Sequence, residues 1–327
     1  MMDFSYTRAR SLDEARHLSL APAAMLLAGG TSLLDLAKCG VTEPARLIDI
    51  THIAGLDAIT VDESGASIGA LAKMSAVADD PRIRENFPAI AESLSLAASA
   101  QLRNMATIGG NLLQRTRCAY FRDPATFPAC NKRAPGSGCA ALGGITRNHA
   151  VLGTSESCIA TYPGDLAVAL VAFDAAIHIG PRAIPADEFF LLPGTTPHRE
   201  HALLKGEMIT EITIPASPAA RRSTYLKIRD RQSYEFAAAS AAVGLDLAPD
   251  GRTIADIRIA LGGVATIPWR CHAAEEALRG QKLAPVTVAR ASALAIEGAV
   301  ARGANRHKID LAPRVIARAI MKTGELA

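Results

Sequence analysis

The sequence predicts an α+β protein of two domains, 1–216 and 217–327. Its 327 residues make about two domains at roughly 150 residues each. Short strand-like runs alternate with helical spacing over the first 55 residues, setting off a subdomain 1–55 from 56–216. Beyond a connection at 215–222 that contains Ser217-Pro218, strands come first and a block of helices last, as in an antiparallel sheet covered by helices.

The elements follow in order. Ser11-Leu12-Asp13-Glu14 is a capping box that opens a helix through Leu20. Met25 to Ala28 is a short apolar strand, Leu33 to Cys39 has helical spacing, and Arg46 to Ile50 returns as a strand. Two strand-like runs between Ala58 and Ala70 flank the turn signal Asp62-Glu63-Ser64-Gly65. Ala89 to Ala100 reads as one buried helix, Asp165 to Phe173 as another, and Ala175 to Ile179 as a strand. Met208 to Ile214 and Thr224 to Ile228 alternate like strands, and Ala237 to Ala248 and Ile254 to Leu261 flank Pro249-Asp250-Gly251. Helices are expected from His272 to Arg279, Pro285 to Arg302 and Ala312 to Thr323. The segment from Gln101 to Ser157 breaks this rhythm. It is rich in Gly, Asn, Arg, Cys and Pro, and so long a loop implies that something holds it.

Composition excludes several function classes. Apolar residues make up 49% and charged residues 20%, enough for a sizeable core. A net charge of +3, from 35 basic and 32 acidic residues, argues against nucleic acid as a partner. One Trp, five Tyr and eight Phe are too few for a base-stacking platform. The best apolar run, Leu166 to Phe173, lies between Asp165 and Asp174 and is far too short to span a bilayer. The start, Met1 to Tyr6, lacks a charged region followed by an apolar one, which predicts no export signal on this chain.

Gly29-Gly30-Thr31-Ser32 sits between a strand and a helix. Two glycines let a backbone approach a ligand, two hydroxyls add donors, and first-turn N–H groups favour an anion such as a pyrophosphate. The same string also fits an ordinary strand-to-helix turn. Thr107-Ile108-Gly109-Gly110-Asn111 repeats the chemistry, so that two loops would grip one extended dinucleotide. Gly136-Ser137-Gly138-Cys139-Ala140-Ala141 matches the nicotinamide-fold string but follows Pro135 in a cysteine-rich loop instead of a strand, and is rejected as a fingerprint.

Four of six cysteines, Cys118, Cys130, Cys139 and Cys158, fall in this loop-rich segment. Without an export signal, metal ligation is the better prior for a clustered set. Zinc sites usually show close C-x-x-C pairs, absent here, whereas a [4Fe–4S] cluster tolerates thiolates from separate loops. Arg115, Arg117, Arg122, Lys132, Arg133 and Arg147 against the single acid Asp123 would offset thiolate charge. A [4Fe–4S] site, a zinc site and unligated thiols all remain open on spacing alone; Cys39 and Cys271 read as small core residues.

Three runs then carry a family resemblance: Leu27-Ala28-Gly29-Gly30-Thr31-Ser32-Leu33-Leu34-Asp35-Leu36, Leu102-Arg103-Asn104-Met105-Ala106-Thr107-Ile108-Gly109-Gly110-Asn111-Leu112, and Leu261-Gly262-Gly263-Val264-Ala265-Thr266-Ile267-Pro268-Trp269-Arg270. In this order they resemble the FAD-binding subunit of the molybdenum hydroxylases, the xanthine dehydrogenase and aldehyde oxidoreductase family. The stretch Asn111 to Cys118, with Pro135 to Ala141, is similar to the branch whose flavin subunit carries an extra [4Fe–4S] cluster, typified by the bacterial periplasmic aldehyde oxidoreductase.

The resemblance implies a two-subdomain FAD-binding domain of the PCMH, or vanillyl-alcohol-oxidase, type, followed by a CO-dehydrogenase-flavoprotein-like domain. It implies an iron–sulfur loop over about 112–158 whose ligands are Cys118, Cys130, Cys139 and Cys158. By position, Met25, Leu26, Leu27, Ala28, Gly29, Gly30, Thr31, Ser32 and Leu33 form the first FAD loop, and Thr107, Gly110, Asn111 and Gln114 the second. Ile159 and Asp165 match the segment on the ribityl–adenosine part; the family's Pro-Ser-Asp-Leu is Pro163-Gly164-Asp165-Leu166 here, without the hydroxyl. Met208 and Lys227 match positions at the isoalloxazine ring, where Lys227 would stabilise reduced, anionic flavin; it also reads as a solvated strand residue.

No residue of this chain is expected to act as a general acid or base. The resemblance places substrate chemistry at a molybdenum cofactor in a large partner subunit, with electrons arriving through [2Fe–2S] clusters of a small subunit. The chain is then an electron-output module of a heterotrimer, serving an external acceptor and not spanning a membrane. It is periplasmic by co-export with the small subunit, or cytoplasmic. Two other readings stand beside it: the flavin subunit of a 4-hydroxybenzoyl-CoA reductase, with inward electron flow, and a zinc-stabilised scaffold without redox chemistry.

Overall fold

The computed structural model describes residues 3–325. Met1 and Met2, the first residues of the stretch read for an export signal, lie outside the described residues, as do Leu326 and Ala327. Three sheets organise the described residues.

The first is parallel, with strands β1 (Ser5–Arg8), β2 (Ala24–Leu27) and β3 (Arg46–Asp49) in the order β1-β3-β2. The crossovers carry helices Leu12–Ser19 and Leu33–Lys38. Ser11 caps the first, its Oγ accepting from the Glu14 N–H at 3.2 Å. The Glu14 carboxylate reaches back to the Arg10 N–H (2.7 Å), one residue before the position a standard capping box uses. Strand β1 has no apolar alternation to betray it. It is a half-exposed edge ordered by pairing with β3 and by the Tyr6 hydroxyl on Asp49.

The second sheet is antiparallel: β4 (Ile59–Asp62), β5 (Gly65–Gly69), β6 (Ala176–Ile179), β7 (Arg182–Pro185) and β8 (Glu211–Pro215), in the order β4-β5-β8-β6-β7. Asp62 closes the β4–β5 turn by accepting from the Ser64 N–H (2.8 Å) and hydroxyl (2.6 Å). The long loop-rich segment therefore leaves and re-enters one sheet. The single helix expected over 89–100 is two, Pro88–Ser95 and Ala100–Met105. Ala98 adopts φ +48°, and Ser99 starts the second helix by accepting from the Leu102 N–H.

The third sheet, also antiparallel, runs β12-β11-β10-β9 with β9 (Ser223–Ile228), β10 (Ala239–Leu247), β11 (Ile254–Gly262) and β12 (Trp269–Arg270). Strand β10 joins two cores by its two-residue period. Ala239, Ala241, Val243 and Leu245 face a cluster with the C-terminal helices, while Ala242 faces the cluster containing helix Leu166–Ala172. All seven residues of that helix are buried, and the sheet admits it because its strands carry Gly and Ala there. A Cβ on Gly244 would meet Ala219 O at 2.3 Å and the Phe173 ring at 2.6 Å.

Helix Pro285–Leu294 stops short of the expected Arg302, because the chain turns so that the Val300 N–H reaches Val151 O (2.8 Å). The last helix, His307–Gly324, starts a turn earlier than expected and runs through Pro313. Its Lys308 is 1% exposed, with Nζ donating to Asn148 O (3.2 Å) and Gly263 O (2.5 Å). Burial, then the nearby Arg147 charge, lowers the Lys308 ammonium to about 7.

Above that value the unfolded chain still holds the proton that the folded chain has released, so raising the pH toward the lysine's ordinary range stabilises the fold. Below it both states are charged and the full cost of burying the ammonium is present. A Lys308→Met protein is therefore expected to show a flatter rise in melting temperature from about pH 6 to about pH 9 than the parent. Parallel curves would contradict the assignment.

Candidate cofactor groove and cysteine cluster

The first glycine loop joins β2 to helix Leu33–Lys38. Gly30 is left-handed at φ +73°, and Ser32, although at the N-cap, makes no side-chain cap, so its hydroxyl remains available. A Cβ on Gly29 would sit 2.2 Å from Met105 O, which means this loop passes in backbone contact with the end of helix Ala100–Met105. The second loop is held from below. Met74 N–H bonds Ala106 O (3.0 Å), Ile108 N–H bonds Ala72 O (2.9 Å) and Gly109 N–H bonds Ala70 O (2.8 Å). Thr107 Oγ1 accepts from the Gly110 N–H at 3.3 Å and starts helix Ile108–Leu112.

The two loops line one groove with two chambers that share Thr31, Ser32 and Gly110. One chamber is largely apolar, walled by Met25, Leu26, Ala28 and Gly29 of the first loop and by Leu36, Ile50, Ala70 and Met208. The other is lined by Asn111, Gln114, Arg117, Asp165, Lys227, Tyr234 and Phe236. Leu33 and Thr107 line the first. Leu27 belongs to the strand leading into the loop and lines neither chamber.

Met208 lines the apolar chamber and Lys227 the polar one. Ile159 is wholly buried, lines neither chamber, and its carbonyl accepts from the Ala150 N–H (2.9 Å).

Lys227 is not a solvated strand residue. Its side chain is 1% exposed, and Nζ donates to Asp165 Oδ2 at 2.8 Å and to Leu96 O at 3.1 Å. The Tyr225 hydroxyl donates to Asp165 Oδ1 (2.7 Å). Burial raises the Asp165 carboxyl, and the Lys227 ammonium opposes that.

The groove fits an extended dinucleotide on its own features. A backbone cradle that a Cβ would fill at Gly29 is one. Another is a pair of buried acceptors lacking partners, Asn111 Oδ1 in the polar chamber and Thr42 Oγ1 in the apolar one. Sequence reading missed Arg117, Tyr234 and Phe236. Arg117 lies over the Phe236 ring at 4.8 Å, and Tyr234 holds φ +53°, a conformation no pattern announces.

The cysteines come from four separate stretches. Cys118 precedes helix Ala119–Arg122, Cys130 and Cys139 face each other across an isolated antiparallel bridge, and Cys158 follows in a buried stretch. All four line one small cavity, and all six cysteines of the chain are free thiols. Burial pushes the Cys118 thiol up to about 12, with Cys130 and Cys158 adding to the rise. Among the described residues no three His, Cys, Asp or Glu side chains are close enough to hold one metal ion. One zinc ion would require its thiolates within about 4 Å of each other. A four-iron cluster spreads its thiolates farther apart around a common centre, and four cysteines around one cavity fit that donor set.

The charge argument for the loop needs correction. Arg117 and Arg122 pair with Asp35 at 3.1 and 2.7 Å, Lys132 with Glu200 at 2.9 Å and Arg147 with Asp230 at 2.8 Å, while Arg115 also pairs with Glu200. Arg133 donates to the carbonyls of Tyr120 (2.5 Å) and Phe121 (2.7 Å). These acids lie outside the segment from Gln114 to Ala150, and they locally neutralise most of its basic excess. Lys132 is the cation that also favours the Cys158 thiolate.

A groove lined by two glycine loops lies between a parallel subdomain and an antiparallel one, with a sheet-and-helix domain behind it, and the comparisons name the class to which such a chain belongs: the flavin-binding subunits of the molybdenum hydroxylases. Residues 2–217 match the FAD binding domain in molybdopterin dehydrogenase, and residues 224–323 the CO dehydrogenase flavoprotein C-terminal domain. The chain belongs to this family and is an oxidoreductase subunit. It is 47% identical over 285 residues, 85% of this chain and 86% of the other, to the aldehyde oxidoreductase FAD-binding subunit PaoB of Escherichia coli strain K12. It is 29% identical to the glyceraldehyde dehydrogenase medium chain of Sulfolobus acidocaldarius, over 86% of this chain and 83% of that one. The carbon monoxide dehydrogenase of Hydrogenophaga pseudoflava that lacks the Mo-pyranopterin moiety superposes with a TM-score of 0.75 at 28% identity, covering 98% and 96% of the two chains. No helix among the described residues is long and apolar enough to cross a membrane.

Proposed function

We propose that this chain is the FAD- and [4Fe–4S]-carrying electron-transfer subunit of a molybdenum-dependent aldehyde oxidoreductase, or xanthine dehydrogenase-type, complex. Its partners are a large subunit with the molybdenum cofactor and a small subunit with [2Fe–2S] clusters, in a heterotrimer that delivers electrons to an external acceptor. The observation that carries the reading is the two-chambered groove between paired glycine loops, with the four-cysteine cavity on the same chain. The 47% likeness to PaoB supports the aldehyde oxidoreductase branch.

In this reading Gly29, Gly30, Thr31, Ser32, Thr107 and Gly110 hold the pyrophosphate where the chambers meet. The apolar chamber with Met208 takes the adenine end, and the chamber with Asn111, Gln114, Asp165 and Lys227 takes the flavin end. Bound FAD supplies the conversion between one- and two-electron steps. Lys227, buried against Asp165, places fixed positive charge at that end and favours a reduced, anionic ring. The orphaned Asn111 Oδ1 supplies an acceptor there.

Cysteine variants test the second cofactor. Replacing any of Cys118, Cys130, Cys139 or Cys158 by serine is expected to remove most of the roughly four irons per chain while leaving flavin bound. Replacing Cys39 or Cys271 is expected to leave iron unchanged. Iron retained after all four single replacements would sink the cluster assignment. For the flow of electrons, anaerobic addition of an aldehyde to the assembled complex is expected to bleach the flavin absorbance; an unbleached flavin in a complex whose molybdenum centre turns over would oppose it.

A further inference from the structure

Next to the cysteine cavity stands a histidine that no sequence pattern singled out. His149 is 5% exposed, and its Nε2 lies 3.2 Å from Cys118 Sγ. Its Nδ1 is buried without a partner. A neutral imidazole carries one N–H. On Nδ1 that proton would be a buried donor with no acceptor, a costly arrangement, whereas on Nε2 it points at sulfur.

The ring is fixed in place. Tyr120, two residues from Cys118, packs against it with ring centroids 6.0 Å apart. The His149 N–H bonds Thr146 O at 2.8 Å, and Thr146 Oγ1 accepts from the Ala304 N–H at 3.0 Å, which ties the segment to the approach of the last helix. Among the described residues this is the one side-chain hydrogen bond to any of the four clustered sulfurs. The neighbouring cations are occupied with Asp35, Glu200 and Asp230.

We propose that His149 is a positioning residue that donates its Nε2–H to Cys118 Sγ and thereby raises the reduction potential of the cluster the four cysteines hold. The proposal rests on the cluster reading given above. A hydrogen bond withdraws electron density from a ligating thiolate, and it stabilises the more negative, reduced cluster more than the oxidised one. The Nδ1 lone pair, left unpaired, is tolerated because a buried acceptor costs less to orphan than a buried donor.

The test is an EPR-monitored redox titration of the assembled complex, with iron and flavin quantified in each sample. His149→Leu is expected to retain iron and FAD, to shift the cluster signal to lower potential, and to leave the flavin potential unchanged. His149→Gln, which keeps a side-chain N–H donor, is expected to bring the cluster potential back toward the parent value. A His149→Leu complex with full iron and the parental cluster potential would overturn the proposal. So would loss of iron from both variants, which would make His149 a ligand or a scaffold. Absence of iron from the parent complex would instead overturn the cluster reading, and would be seen before any variant is compared.

Discussion

Gly29→Ala is expected to leave the chain folded but to strip it of FAD, weakening retention on the order of 100-fold, about 3 kcal/mol. The added Cβ would lie 2.2 Å from Met105 O and 2.9 Å from Met105 C, both backbone atoms that cannot rotate away. Relief requires the first glycine loop or the end of helix Ala100–Met105 to move. Both border the groove, so the cost falls on the cofactor site rather than on the core. Gly143→Ala serves as the control, since nothing lies within 4 Å of the atom it would add. Flavin content after desalting, read beside circular dichroism, decides the matter. A Gly29→Ala protein that keeps its flavin would refute the cradle; one that unfolds would move Gly29's role to the fold.

Breaking the Asp165–Lys227 pair is expected to have the largest effect on stability. The two side chains are 5% and 1% exposed and bond at 2.8 Å. Asp165→Ala leaves an ammonium buried with the Leu96 carbonyl as its remaining acceptor and takes from the Tyr225 hydroxyl one of its two partners, leaving Ser240 Oγ at 2.8 Å. Removing one partner of a buried pair costs on the order of 3–5 kcal/mol, because the survivor's charge is uncompensated. Lys227→Met should cost less, since the Asp165 carboxyl, already raised by burial, can take up a proton. Thermal melting with and without added FAD reads both effects. Equal melting temperatures for the parent and Asp165→Ala would contradict this account of the site.

Features fixed by short-range chemistry were the legible ones. Ser11, the Asp62–Gly65 turn, the glycine loops and the buried helix ahead of Asp174 each follow from contacts a few residues apart. What failed depends on distant partners. Strand β1 is ordered by β3, about forty residues on, and Ala98 breaks a run whose composition favours a continuous helix. The helix expected from Ala312 starts at His307, and tertiary packing of Val315, Ile316, Ala319 and Ile320 carries it through Pro313. The basic residues between Gln114 and Ala150 find their acids, Asp35, Glu200 and Asp230, far away in the chain.

The site shows the same division. The cysteines and glycine loops announce themselves, but the separation of Met208 from Lys227, the burial of Ile159 and the approach of His149 to Cys118 exist only once the chain is folded.

The central claim, that this chain carries both a flavin and an iron–sulfur cluster, is tested most directly by one measurement. It is the ultraviolet–visible spectrum of the chain purified anaerobically with its partners, with flavin and iron quantified on the same sample. The account predicts one flavin and about four irons per copy of this chain, after allowance for the iron of the partner subunits. A complex in which this chain lacks either the flavin or its four irons would contradict it.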